Sequence, residues 1–182
     1  MSEISIVKSL VSFYKITSSI IDRHNVKKIL TFLSEFHSNQ VDKLKLEKFK
    51  DKFEKNNKHR NQVLETILLL NEKFIDIQKS QIFANLFTAH INEKISWEEF
   101  QKMSFMLTNL NPAGYKYLEK SANKDSKTKT NMIQMIEGEA LLLACGIGTK
   151  FEEKFRLTRT GVKLYELGLK PLLEKHSTQQ LI

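Results

Sequence analysis

Histidine, cysteine and acidic side chains are where this chain would carry chemistry, and their spacing decides which chemistry is open to it. The five histidines are His24, His37, His59, His90 and His176. Two imidazoles three or four residues apart share a helix face and can grip a metal. No histidine here stands in a metal-ligand pattern with another His, Cys or acid, and Arg23-His24 and His59-Arg60 are too close to work as the separated Arg and His of a ribonuclease site. Glu152-Glu153-Lys154, with Glu137 or Glu139 upstream, has the acid, any residue, lysine pattern of metal-dependent nucleases, but that site needs a mixed α/β core that the sequence does not offer. Glu99 could close a calcium-binding loop. The oxygen-ligand positions before it would be Thr88, His90 and Asn92, and the obligatory turn glycine is Glu93. The six glycines form no phosphate loop. The single Cys145 closes the apolar run Ala140 to Cys145, so it reads as a packed thiol in a reducing compartment. The expectation is a protein that is not an enzyme, with no catalytic residues, no cofactor and no metal.

The elements that would position any site are helical. Ile4, Val7, Leu10, Val11, Tyr14 and Ile21 fall near one helical stripe. Asn25 is placed to cap a second helix with Val26, Ile29, Leu30, Leu33 and Phe36 on its apolar face. Val41, Leu44, Phe49 and Phe53 continue through the polar patch Asn56 to Asn61 into Val63, Ile67, Leu70, Phe74 and Ile77, as one long helix or as two broken near Asn56. Apolar residues on several sides of 63–77 mark it as the central helix. Ile82, Phe83, Leu86, Phe87 and Ile91 form the next stripe.

Ser96 and Glu99 have the spacing of a capping box, opening a helix with Phe100, Met103, Met106, Leu107 and Leu110 inside, and Trp97 as its entry anchor. Asn111-Pro112 starts a short helix through Leu118. Ser121 to Thr130 lacks any large apolar side chain and reads as a polar loop. A helix from about Asn131 should stop at Gly146 and Gly148, a short hairpin follows in which Phe151, Phe155 and Leu157 flank the polar Glu152 to Lys154, and Thr158 caps a last helix to Gly168. The expected organisation is a helical bundle over 1–120, a polar loop over 121–130, a second subdomain over 131–176 and a frayed tail over 177–182.

Net charge is +8 and the isoelectric point about 9.4, which permits an acidic partner. Much of the basic excess lies between Lys43 and Arg60, interleaved with Asp42, Glu47, Asp51 and Glu54 as on a solvated helix face. No stretch reaches the roughly 18 uninterrupted apolar residues of a membrane span. Ile4 to Ile21 is broken by Lys8, Lys15 and serines, and Glu3 stands where an export signal carries positive charge, so a cytoplasmic protein is expected.

Leu142-Leu143-Ala144-Cys145-Gly146-Ile147, then a polar hairpin, then Leu157-Thr158-Arg159-Thr160-Gly161, resembles the end of winged-helix domains. The resemblance implies a hairpin wing and, in DNA-reading members, a preceding helix that enters the major groove. Here that helix offers Asn131, Gln134, Glu137 and Glu139 without Arg or Lys, and carboxylates repel phosphate. Lys150, Lys154, Arg156 and Arg159, with Lys124, Lys127 and Lys129 in the loop, are the candidates for holding phosphate without reading bases.

The middle section comprises Asn71-Glu72-Lys73, Ile82-Phe83-Ala84-Asn85-Leu86-Phe87, Ile95-Ser96-Trp97-Glu98-Glu99-Phe100 and Leu107 to Tyr117. It is similar to small bacterial and phage helical proteins, some of which resemble the abortive-infection alpha family. That resemblance implies a setting in phage defence, counter-defence or regulation, and carries over no catalytic residue.

Together these readings give a mainly α fold, a bundle followed by a winged-helix-like subdomain with one short β-hairpin. The expected function is protein interaction, with a homo-oligomer built on Ile6, Val7, Leu10, Val11 and Tyr14. A winged-helix DNA-binding regulator is the alternative, and a membrane-surface protein lying on Ile4 to Ile21 a third.

Overall fold

The computed structural model describes residues 20–123, 132–152 and 154–179. It is mainly helical, with one antiparallel hairpin near the C-terminus. Two compact units part between Lys94 and Ile95. That division lies ahead of residues 121–130.

The first unit contains α1 (Ile20–Ser38), α2 (Lys43–Lys55), α3 (Asn57–Lys73) and α4 (Ile77–Ile91). The centre is α4, buried on nearly every side, rather than the 63–77 stretch that its apolar content singled out. The reason is a break in that stretch: Phe74 ends α3, Asp76 caps α4 by accepting from the Gln78 amide, and Ile75 between them is 90% exposed. Leu69, on the outer side of α3, is 57% exposed. Helix α4 hides its centrality behind polar residues that are satisfied inside: Asn39 Nδ2 donates to Asn85 Oδ1 at 2.9 Å and to Thr88 Oγ1 at 3.0 Å, and Thr88 Oγ1 donates to the Ala84 carbonyl.

Around α4 the core is aromatic. Phe83 meets Phe32 at 5.3 Å and Phe74 at 5.5 Å, and Phe87 meets Phe36 at 5.5 Å and Phe49 at 5.7 Å between ring centroids. Truncating one such ring to Ala costs about 3–5 kcal/mol.

Asn25 does not cap a helix. It sits inside α1, which begins at Ile20, and is itself buried. The buried stripe of α1 is also rotated from the apolar one: Lys28, Ile29, Phe32, Leu33, Glu35 and Phe36 face inward, while Leu30 is 56% exposed. Lys28 is satisfied on that buried face. Its Nζ, on a side chain only 1% exposed, donates to the carbonyls of Glu72 at 2.7 Å and Phe74 at 2.8 Å, satisfying acceptors that the end of α3 leaves open.

Of the two possibilities for 41–77, the break at Asn56 is what forms. Its amide N–H closes α2 on the Lys52 carbonyl at 3.0 Å, and its Oδ1 opens α3 by accepting from the His59 amide at 3.0 Å.

The second unit holds α5 (Trp97–Asn109), a 3-10 turn (Pro112–Gly114), α6 (Tyr115–Ala122), α7 (Met132–Ala144), β1 (Gly148–Phe151), β2 (Lys154–Leu157), α8 (Arg159–Leu164), a π turn (Tyr165–Leu169) and α9 (Lys170–Gln179). The capping box forms as spaced: Ser96 Oγ accepts from the Glu99 amide at 3.1 Å, and Glu99 Oε2 accepts from the Ser96 amide at 3.0 Å. Asn111 accepts from the Ala113 amide, and Trp97 stacks beside Phe100 at 5.1 Å.

The order from α7 to α8 also follows the sequence reading. Gly146 takes φ +74 to stop α7, and the hairpin then pairs Gly148 with Leu157, Thr149 with Arg156, Lys150 with Phe155 and Phe151 with Lys154. Thr158 Oγ1 accepts from the Gly161 amide at 3.0 Å and donates to the Ile147 carbonyl at 2.9 Å. Gly161 is required there, because a Cβ on it would lie 2.3 Å from the Ile147 carbonyl oxygen.

Helix does not stop at Gly168 but continues through the π turn to Gln179, and residues 180–182 of the tail lie outside the described residues. Pro171 gives the reason for the wide turn: it has no amide proton for the carbonyl four residues back, and its ring needs room there.

Candidate interaction surfaces

Chemistry-bearing side chains are mostly committed to structure. Cys145 is buried, its Sγ donating to the carbonyls of Leu141 and Leu142. His59 packs edge-on against Phe49 at 5.8 Å, and its pKa is lowered by burial first and then by Lys52 and His90. Thr88 and His90 belong to α4, while Asn92 ties the end of that helix to the α1–α2 connection: its Oδ1 accepts from the Asp42 amide at 2.9 Å and its Nδ2 donates to the Gln40 carbonyl. Glu93 follows at φ +57, held by Lys48 at 2.8 Å and Lys45 at 3.6 Å, and the Lys48 hydrogen bond is the leading cause of its lowered pKa. Glu99 reaches Lys163 Nζ at 2.5 Å, and that contact, then the Ser96 amide, holds its carboxyl below the usual range. Among the described residues no three His, Cys, Asp or Glu side chains converge as a metal site would require.

The sequence did not single out Lys28. Nothing in the string Val26-Lys27-Lys28-Ile29 distinguishes a buried lysine from its solvated neighbour; the signal lies in two carbonyls more than forty positions away. Burial lowers its pKa, partly countered by Glu72.

The seven basic residues drawn from the sequence separate. Lys124, Lys127 and Lys129 lie outside the described residues. Strand alternation puts Lys154 and Arg156 on one face of the hairpin with Thr149 and Phe151, and Lys150 on the other with Phe155 and Leu157. Phe151, opposite Lys154, is 60% exposed. Arg159 begins α8.

The five residues proposed for self-association, Ile6, Val7, Leu10, Val11 and Tyr14, also lie outside the described residues. On α7, Gly138 and Leu142 face inward, and Ile136, Glu137, Ala140 and Ala144 face solvent, with Ile136 60% exposed. No cation stands on this described outward face.

A cleft of about 830 Å3 lies in the second unit, between the end of α6 and β2. Tyr117 and residues 120–123 form one side and Phe155, Arg156 and Leu157 the other, with Glu139 and Val162 completing the lining. The α6 side is held by Asn123 Nδ2, which donates to the Tyr165 hydroxyl at 2.9 Å, and by Tyr117, whose ring lies where any side chain on Gly138 would have to go.

Comparison with protein-family models, curated proteins and solved structures found no match. Among the described residues no helix is long and apolar enough to cross a membrane.

Proposed function

We propose that the chain is a non-enzymatic helical protein-interaction module, acting through contacts with a partner or with its own copies. The observation that carries this reading is the outward face of α7. Ile136, Ala140 and Ala144 recur at four-residue steps beside Glu137. Such a face releases water when covered by protein and repels phosphate. Exposed Leu30, Leu69 and Phe151 add apolar surface of the same kind. A setting in phage defence, counter-defence or related regulation comes from the resemblance of the middle section alone.

Light scattering on the full chain at micromolar concentration tests self-association. The expected mass is a multiple of 21.2 kDa, reduced by Ile136→Glu. A strictly monomeric mass for the unaltered chain removes self-association from the proposal.

A winged-helix nucleic-acid binder is the second reading, favoured by Lys154 and Arg156 sharing one hairpin face with Arg159 following. It requires binding to duplex DNA that weakens steeply with salt and disappears when those three residues become Glu. Absence of binding at low salt ends it.

A further inference from the structure

One face of the hairpin is open along its whole length. Strand alternation puts Thr149 and Phe151 of β1 on the same side as Arg156 and Lys154 of β2, and all four residues are exposed. The other side is turned inward. There Phe155 and Leu157 are half-buried, and the Phe155 ring lies where any side chain on Gly148 would have to go.

A single exposed apolar residue needs no explanation by itself. Phe151, 60% exposed, gains its meaning from its neighbours. It stands directly opposite Lys154 and diagonal to Arg156, so both long cationic side chains are within reach of its ring. No ion pair or side-chain hydrogen bond among the described residues occupies either cation. The two lie about 6.8 Å apart along β2, on the scale of the step between neighbouring phosphates in an extended nucleic-acid strand. Glu152 and Glu153 fall between the paired residues, so the four residues of the face carry no carboxylate.

We propose that this face binds single-stranded nucleic acid, with one unpaired base stacked on Phe151 and the flanking phosphates on Lys154 and Arg156. The proposal shares these cations with the nucleic-acid reading above and goes beyond it in the strand it names. A base inside a duplex has both faces covered by its neighbours, whereas an unpaired base offers a face to an aromatic ring whatever its identity. Lys154 and Arg156 hold phosphate without reading sequence. An acidic peptide would meet the cations and leave the ring uncovered. An anionic membrane fits less well again, because the part of a hairpin that enters the headgroups first is its turn, and this turn is Glu152-Glu153.

The test is fluorescence anisotropy of the full chain at low salt with a labelled oligothymidine about 12 nucleotides long, an abasic strand of the same length and charge, and a duplex of that length. Oligothymidine should bind best, the abasic strand at least ~10-fold more weakly, and the duplex more weakly than oligothymidine. Phe151→Ala should bring oligothymidine down to the affinity of the abasic strand while leaving abasic binding unchanged, and Phe151→Trp should restore the difference. Lys154→Gln and Arg156→Gln should weaken both strands to the same degree. The abasic comparison uses the unaltered protein, so it stands even if a variant misfolds.

Equal affinity for oligothymidine and the abasic strand, a duplex preference that survives Phe151→Ala, or Phe151-dependent binding to vesicles of phosphatidylserine and phosphatidylcholine that oligothymidine does not compete would each overturn the proposal. Duplex binding without a single-strand advantage sinks it and leaves the second reading standing; oligothymidine binding without duplex binding removes that reading and keeps this one. No nucleic-acid binding at low salt ends both, and leaves the protein-interaction reading to its own test.

Discussion

Replacing Lys28 by Met keeps the length and apolar stem of the side chain and removes the ammonium that links α1 to the end of α3. Two carbonyls then lose their donor. That of Phe74 is buried, and an unmet buried acceptor costs about 1–3 kcal/mol; that of Glu72 is only partly buried, and water recovers most of its loss. Against this, Met has no ammonium to desolvate, and burial already disfavours the charged form of Lys28. The balance is a loss of about 2 kcal/mol, or roughly 4–8 °C in Tm for a chain of this size.

Urea unfolding followed by circular dichroism reads it directly, with the midpoint falling and the slope unchanged. The pH dependence is a second readout. Because the folded pKa lies below the ordinary 10.5, the unfolded chain binds more proton between the two values, so stability rises with pH through that window, and Lys28→Met flattens the rise. A Lys28→Met variant as stable as the original would refute the assignment of Lys28 as the donor that completes α3.

Three further outcomes follow from the same kind of reasoning. His59 has a folded pKa below the ordinary 6.5, so the unfolded state takes up protons first and stability falls as pH drops below that value; His59→Gln should remove part of this acid loss in melts at pH 7 and pH 5. Gly161→Ala sets a methyl against the Ile147 backbone oxygen, and urea titration should show a loss of at least about 1–3 kcal/mol, with an unchanged midpoint excluding the close approach. Glu99, whose folded pKa is depressed below 4.5, contributes stability that is present above that value and lost as pH falls through the folded pKa; Lys163→Met should weaken that dependence, read as the difference in Tm between pH 7 and pH 3.5.

What could be read ahead of the structure were the features encoded within a few residues. Ser96 with Glu99 and Thr158 with Gly161 satisfy backbone groups three residues away, and Asn111 accepts from the Ala113 amide while Pro112 leaves none to satisfy, so their spacing alone specifies the geometry. Features that depend on distant partners were misread or invisible. Lys28 resembles Lys27 until the Glu72 and Phe74 carbonyls are in place. Apolar content favoured 63–77 over α4, since Asn85 and Thr88 look like surface residues until Asn39 meets them. The basic residues of the hairpin could be named, but only the register divides Lys154 and Arg156 from Lys150.

Asn56, the lone residue between α2 and α3, fixes the rotational phase of two helices at once. Adding one residue inside the first turn of α3 turns the rest of that helix by about 100° relative to its Asn56 cap. Val63, Leu64 and Ile67 would swing away from the core, so this half of the chain should not tolerate a change of length at that turn.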